Sequence, residues 1–213
     1  MFSVVPIIYT GFGWFLGLLS TLVLPRINRR KRKKDFELGL CVELKEATPR
    51  LALTYWLLKE ALGDLDRKAI EWTYSILSEF AKEDKKILEL LDSFRKKTDK
   101  DLKALALSIK ASKKKTMSVK KLHLPFLQSN LPGVSLLAPG SQRVVAAIQR
   151  DVDSLNEEVD LYFFYLKKTF DATLSEENYS IVNMNIDHAY RAIVDLSYKT
   201  AELISRALSD LSK

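Results

Sequence analysis

Two regimes of hydrophobic and polar positions divide this chain. From Val4 to Leu24 it carries 21 uncharged, mostly apolar residues, and Arg26 to Lys34 then place seven cations in nine positions. Downstream, apolar residues recur every three or four positions with charges between them, the period of helices that bury one stripe. At 1.5 Å per residue the uncharged run reaches about 31 Å, the thickness of a bilayer's hydrocarbon layer. The pattern predicts a transmembrane anchor over residues 1–25, a basic juxtamembrane collar over 26–34, and an all-α domain over 35–213. That domain is expected to be an antiparallel bundle of about four to five long helices.

A cleaved signal peptide fits the first regime less well. Such a segment wants positive charge ahead of a shorter apolar core, whereas here the cations follow it. Cations stay on the cytoplasmic side, so the expected topology is single-pass in the cell membrane, N-terminus out, with 35–213 cytoplasmic. Inside the span Gly13 and Gly17 form a GxxxG, and Thr21 extends the same face. Small residues four apart let two backbones approach in lipid, so homo-oligomerisation through this helix is an expectation.

Residues 36–47 place Leu40, Leu44 and Ala47 on one stripe. Thr48-Pro49 reads as a cap plus a first-turn proline, which predicts a restart or kink. Residues 50–62 are apolar nearly all round, so this helix should be central. Gly63 should end it, with Asp64 capping a helix over 65–81. A long helix is expected over 83–112 on Ile87, Leu91, Phe94, Thr98, Leu102, Leu105 and Ile109.

Two heptad helices are expected over 142–170 and 179–211. Their seams are Ile148, Val152, Leu155, Val159, Tyr162 and Leu166, then Val182, Ile186, Ala189, Ile193, Leu196, Thr200, Leu203 and Ala207. Ser175 is the expected cap of the second. Residues 113–140 are the irregular stretch, holding three of the six prolines and a surplus of Leu and Phe. It is too apolar for a free linker. It should lie across the bundle or dip into the membrane interface, and Lys113, Lys114, Lys115, Lys120, Lys121 and Phe126 are the candidate second membrane or partner contact.

Charge sharpens this picture. The formal net charge is +7, and the collar supplies seven cations, Arg26, Arg29, Arg30, Lys31, Arg32, Lys33 and Lys34. Without them, 27 basic residues face 27 acidic ones. The basicity is therefore a local signal for anionic lipid, and membrane lipids are the expected partner. Residues 102–150 hold nine bases and no acid, and 151–213 hold 12 acids and six bases. Nucleic acid is not an expected partner, because the aromatic run Tyr162, Phe163, Phe164, Tyr165 sits in the acidic third. Four consecutive aromatics cannot all face one core, so part of that run is a candidate partner face.

Candidate chemistry is scarce. The chain has two histidines, one cysteine and no phosphate-cradling glycine loop. Bundle metal sites use Glu-x-x-His, but Asn185 stands three before His188 and Lys120 three before His123. No catalytic residue, cofactor or metal is expected. Cys41 reads as a buried spectator thiol. The expected function is a membrane-anchored, non-enzymatic interaction, scaffold or sensor protein. The alternatives are a toxin-like or defence-type membrane effector whose helical domain controls assembly of the anchors, and a regulatory subunit whose active site lies on another chain.

Overall fold

A 58-residue helix, α1 (Val5–Leu62), runs through the uncharged stretch, the collar and the centre of the bundle without a break. The computed structural model describes residues 5–112, 119–171 and 173–211. After α1 come α2 (Arg67–Phe80), α3 (Lys85–Arg95), α4 (Asp99–Ser112), α5 (Pro125–Ser129), a 3-10 turn (Leu131–Leu136), α6 (Pro139–Lys168) and α7 (Glu176–Leu211). Among the described residues the chain is all-helical, without strands. No helix of the described residues is long and apolar enough to cross a membrane. Within 5–22 side chains are described only at Trp14, Gly17, Ser20 and Thr21, so the expected anchor falls largely outside the described side chains.

Thr48-Pro49 does not restart the helix. Pro49 lies inside α1, and Thr48 Oγ1 donates to the Leu44 carbonyl at 2.7 Å. A proline inside a helix removes one backbone bond and costs about 3 kcal/mol in isolation. Here Leu44, Ala47, Leu51 and Ala52 are buried around it, and that packing offsets the lost bond so that the helix continues.

Because α1 buries residues on more than one side below the collar, and is apolar nearly all round over 50–62, it serves two cores. One joins Phe36, Leu40, Leu44, Leu51 and Leu58 to the seams of α6 and α7. The other joins Trp56 to Leu65 in the turn after α1 and to Ile70, Leu77, Leu91 and Leu102 from α2, α3 and α4. The expected central helix is therefore central. In α6 the seam from Ile148 to Tyr162 is buried, with Leu166 half-buried at its end. α7 buries a second stripe as well, Tyr190, Val194, Ala201 and Ile204, because it packs between α6 and α1.

The helix expected over 83–112 is two helices. Thr98 Oγ1 accepts from the Asp101 N–H at 3.2 Å and donates to its carboxylate at 2.7 Å, a reciprocal cap that starts α4. Arg67 fixes the bend from α2, donating to the Arg95 and Lys97 carbonyls at 2.9 and 2.6 Å and to Asp99 at 2.7 Å. Folding back there lets Leu91 and Leu102 share one core. Gly63 does end α1, with φ 75°, but the cap of α2 is Asp66, whose carboxylate accepts from the Ala69 N–H at 2.7 Å. Ser175 caps α7 as expected, accepting from the Asn178 N–H at 3.3 Å.

Where the two cores meet, Tyr55, Trp72 and Tyr198 from α1, α2 and α7 cluster with centroids 4.8–5.5 Å apart. Trp72 Nε1 donates to Glu202 at 2.7 Å. Burial, and then the charge of Asp66, push the Tyr55 phenol up from 10 to about 12. The folded state thus holds this proton more tightly than the unfolded chain. Its contribution to stability is complete below about pH 10 and is lost as pH rises from 10 towards 12. An alkaline absorbance titration is expected to show one late tyrosine step near pH 12, absent in Tyr55→Phe; an unchanged titration in that variant would refute the assignment.

Candidate functional site

The collar, the 119–137 segment and the outer end of the α6–α7 hairpin carry the candidate surfaces. The collar residues Arg26, Arg29, Arg30, Lys31, Arg32 and Lys34 are exposed on α1, and Lys33 is half-buried beside Glu37, 3.4 Å from its carboxylate. Gly17 is exposed, and a Cβ built there meets nothing within 4 Å. Thr21, one turn on, is exposed too. Gly13 lies in the α1 backbone, and its surroundings are outside the described residues.

The stretch expected to be irregular is built as a strap. Val119, Leu122, Leu124, Leu127 and Leu137 are buried in the first core. The strap is tied to α6 by Asn156, whose side chain accepts from the Leu122 N–H at 2.9 Å and donates to the Leu122 carbonyl at 2.8 Å. It is tied to α1 by Glu43. α5 begins Leu124-Pro125, so it has no side-chain cap of its own, and proline brings no N–H. The next two donors, Phe126 and Leu127 N–H, both bond the Glu43 carboxylate, at 2.6 and 2.9 Å.

Two glycines complete the joint. The Phe126 ring covers Gly39 and the Phe36 ring covers Gly133, each where a Cβ would stand, and the two rings lie 5.7 Å apart. Phe126 is thus half-buried against α1. Neither Glu43 nor Asn156 was singled out by sequence reasoning. The readable signal was a Pro-initiated helix with no Ser, Thr, Asp or Asn ahead of it, which must borrow an acceptor from elsewhere.

Of the candidate lysines in the acid-free zone, Lys120 and Lys121 do not lie at the collar. Lys113, Lys114 and Lys115 lie outside the described residues. Lys120 and Lys121 are exposed beside Arg50, Thr54 and Leu57, in a groove of about 530 Å³. Arg50 is 16 residues down α1 from Lys34, about 24 Å along the axis. Lys121 also pairs with Asp160 at 2.7 Å. The strap climbs α1 from there, and it is Leu136 that reaches the collar.

The aromatic run divides by its helical phase. Tyr162 is fully buried and stacks on Tyr190, centroids 5.0 Å apart. Phe163 and Tyr165 are half-buried against the core, and Phe164 is 54% exposed. Arg191 pairs with Asp64 just past the end of α1, at 2.9 Å. The first 15 residues of α7, Glu176 to Tyr190, therefore run about 22 Å beyond α1 and pack against α6. On this outer end Leu161, Phe164, Phe170, Tyr179, Ile181 and Met184 are all exposed.

Among the described residues no three His, Cys, Asp or Glu side chains come together as metal ligands. His123 and His188 are exposed on different elements, the strap and α7. Cys41 is half-buried, and burial pushes its thiol above the ordinary value, with Lys45 acting in the opposite sense. That keeps it protonated and a poor nucleophile at neutral pH. No family model, curated protein or solved structure matches the chain.

Proposed function

We propose that this chain is a membrane-anchored, non-enzymatic interaction protein: α1 carries the span, the collar stops it at the cytoplasmic surface, and the bundle presents a partner-binding end away from the bilayer. The observation that supports this reading is the continuity of α1. The uncharged run, the cationic collar and the helix central to both cores are one helical rod of 58 residues, about 87 Å. A continuous helix of that kind, with Pro25 and Pro49 inside it, ties the position of the bundle to whatever holds its first turns. The bare apolar end of the α6–α7 hairpin then faces away from the collar, on a stretch rich in acids. Polar rims around exposed aromatics are the composition of protein-binding surfaces.

Two measurements test the proposal. In intact membranes the full chain is expected to resist alkaline carbonate extraction, with residues 35–213 open to protease from the cytoplasmic side. Release into the carbonate supernatant would end the anchoring reading. Cross-linking in the same membranes is expected to recover a self-dimer or a partner. For the self-dimer, Gly17→Leu is the informative variant. A Cβ at Gly17 touches nothing of its own chain, so loss of the dimer in that variant reports packing between copies. An unaltered dimer would move the interface off this face.

A further inference from the structure

Four of the seven collar cations are set apart by geometry. Arg26, Arg29, Arg30 and Lys33 recur at i, i+3, i+4 and i+7, which puts them on one face of α1. The same face continues down the helix as Phe36, Leu40 and Leu44, the stripe buried in the first core. These four cations therefore overhang the top of the bundle, while Lys31, Arg32 and Lys34 point elsewhere. Below them lies the turn Leu131–Leu136, held against α1 by the Phe36 ring over Gly133. Between the two is a cleft of about 220 Å³ lined by Arg26, Arg29, Arg30, Lys33 and Leu136.

We infer that this cleft holds the phosphate of an anionic phospholipid headgroup and so fixes how the bundle sits on the bilayer. Among the described residues no acid pairs with Arg26, Arg29 or Arg30, and Lys33 has only Glu37. Three guanidiniums within two turns repel one another until an anion sits between them. Their planar forks match phosphate oxygens in pairs, which gives such a site geometry as well as charge. The depth also fits. Arg26 follows the uncharged run by one residue, and Lys33 is seven residues further, about 10 Å, comparable to a headgroup layer. The other wall is the half-buried Leu136, and Leu131 and Pro132 of the same turn are exposed, an apolar lip suited to the interface and not to bulk water. Lys120 and Lys121, beside Arg50, are not part of this surface.

The inference rests on the anchoring reading, and the test separates the two. The full chain, with Cys41→Ser and a polarity-sensitive dye on Leu131→Cys, is placed in nanodiscs of phosphatidylcholine, with or without phosphatidylserine. Anionic lipid is expected to shift the dye emission to the blue. Arg26→Gln/Arg29→Gln/Arg30→Gln is expected to abolish that shift, and the charge-matched Lys31→Gln/Arg32→Gln/Lys34→Gln to retain it, both with unchanged helical circular dichroism. Equal effects of the two triples would mean bulk charge and no cleft. A dye indifferent to lipid in a chain that stays in the disc would overturn the cleft alone. A chain that does not stay in the disc overturns the anchoring reading and the cleft with it.

Discussion

Tyr162→Ala is expected to destabilise the domain by about 3–5 kcal/mol, whereas Phe164→Ala, two residues away, is expected to stay within about 0.5 kcal/mol of the parent. Tyr162 is fully buried and stacked on Tyr190 at 5.0 Å, so truncation opens a cavity in the seam of α6 and α7. Phe164 is more than half exposed and meets Tyr165 and Lys168 at the surface of its own helix, so its truncation opens no cavity. Urea unfolding of both variants followed by tryptophan fluorescence measures the difference. Similar losses at the two positions would mean that the hairpin end is packed differently. The contrast also serves the functional reading. Since Phe164→Ala keeps the fold, a cross-linked partner lost in that variant can be assigned to the surface and not to unfolding.

Glu43→Ala is expected to cost about 2–4 kcal/mol, a large sum for one half-buried glutamate. Its carboxylate takes two backbone donors that α5 cannot satisfy locally, and hydrogen bonds to a charged group contribute about 1.5–3 kcal/mol each, less whatever water restores. Glu43→Gln keeps one acceptor oxygen and is expected to recover roughly half of the loss. The damage should be local before it is global. In hydrogen exchange, amides over 119–137 of Glu43→Ala are expected to lose protection while those in the α6–α7 seam hold. Uniform loss along the chain would mean that the strap and bundle form one cooperative unit. Unchanged protection of 119–137 would remove Glu43 from its role. Because the Leu131–Leu136 turn is the upper end of the strap, Glu43 also positions the wall of the collar cleft.

Several features of this fold were legible in one dimension. The seams of α6 and α7, the encircling apolarity of residues 50–62, the stop at Gly63 and the cap at Ser175 depend on spacing and on local backbone chemistry, which a sequence records directly. The same is true of the collar, seven cations in nine residues that account for the formal charge excess. The sequence alone thus determined an all-α bundle around one central helix, with its basicity gathered at one end.

Other features were decided by contacts between distant residues. Pro49 stays within α1 because the residues around it are packed, and no local propensity registers that support. The stripe from Ile87 to Ile109 is continuous as a pattern, yet Arg67 from α2 and the Thr98–Asp101 cap bend it into two helices. Glu43 reaches 83 residues forward to start α5, and Asn156 reaches 34 residues back to hold the strap. Such bonds leave no periodic trace. The tertiary structure also sorted the cations. In sequence all seven of the collar look alike, and the lysines of 113–121 look like their continuation. In the folded chain helical phase turns four towards the Leu131–Leu136 turn, and Lys120 and Lys121 lie some 24 Å or more down the rod.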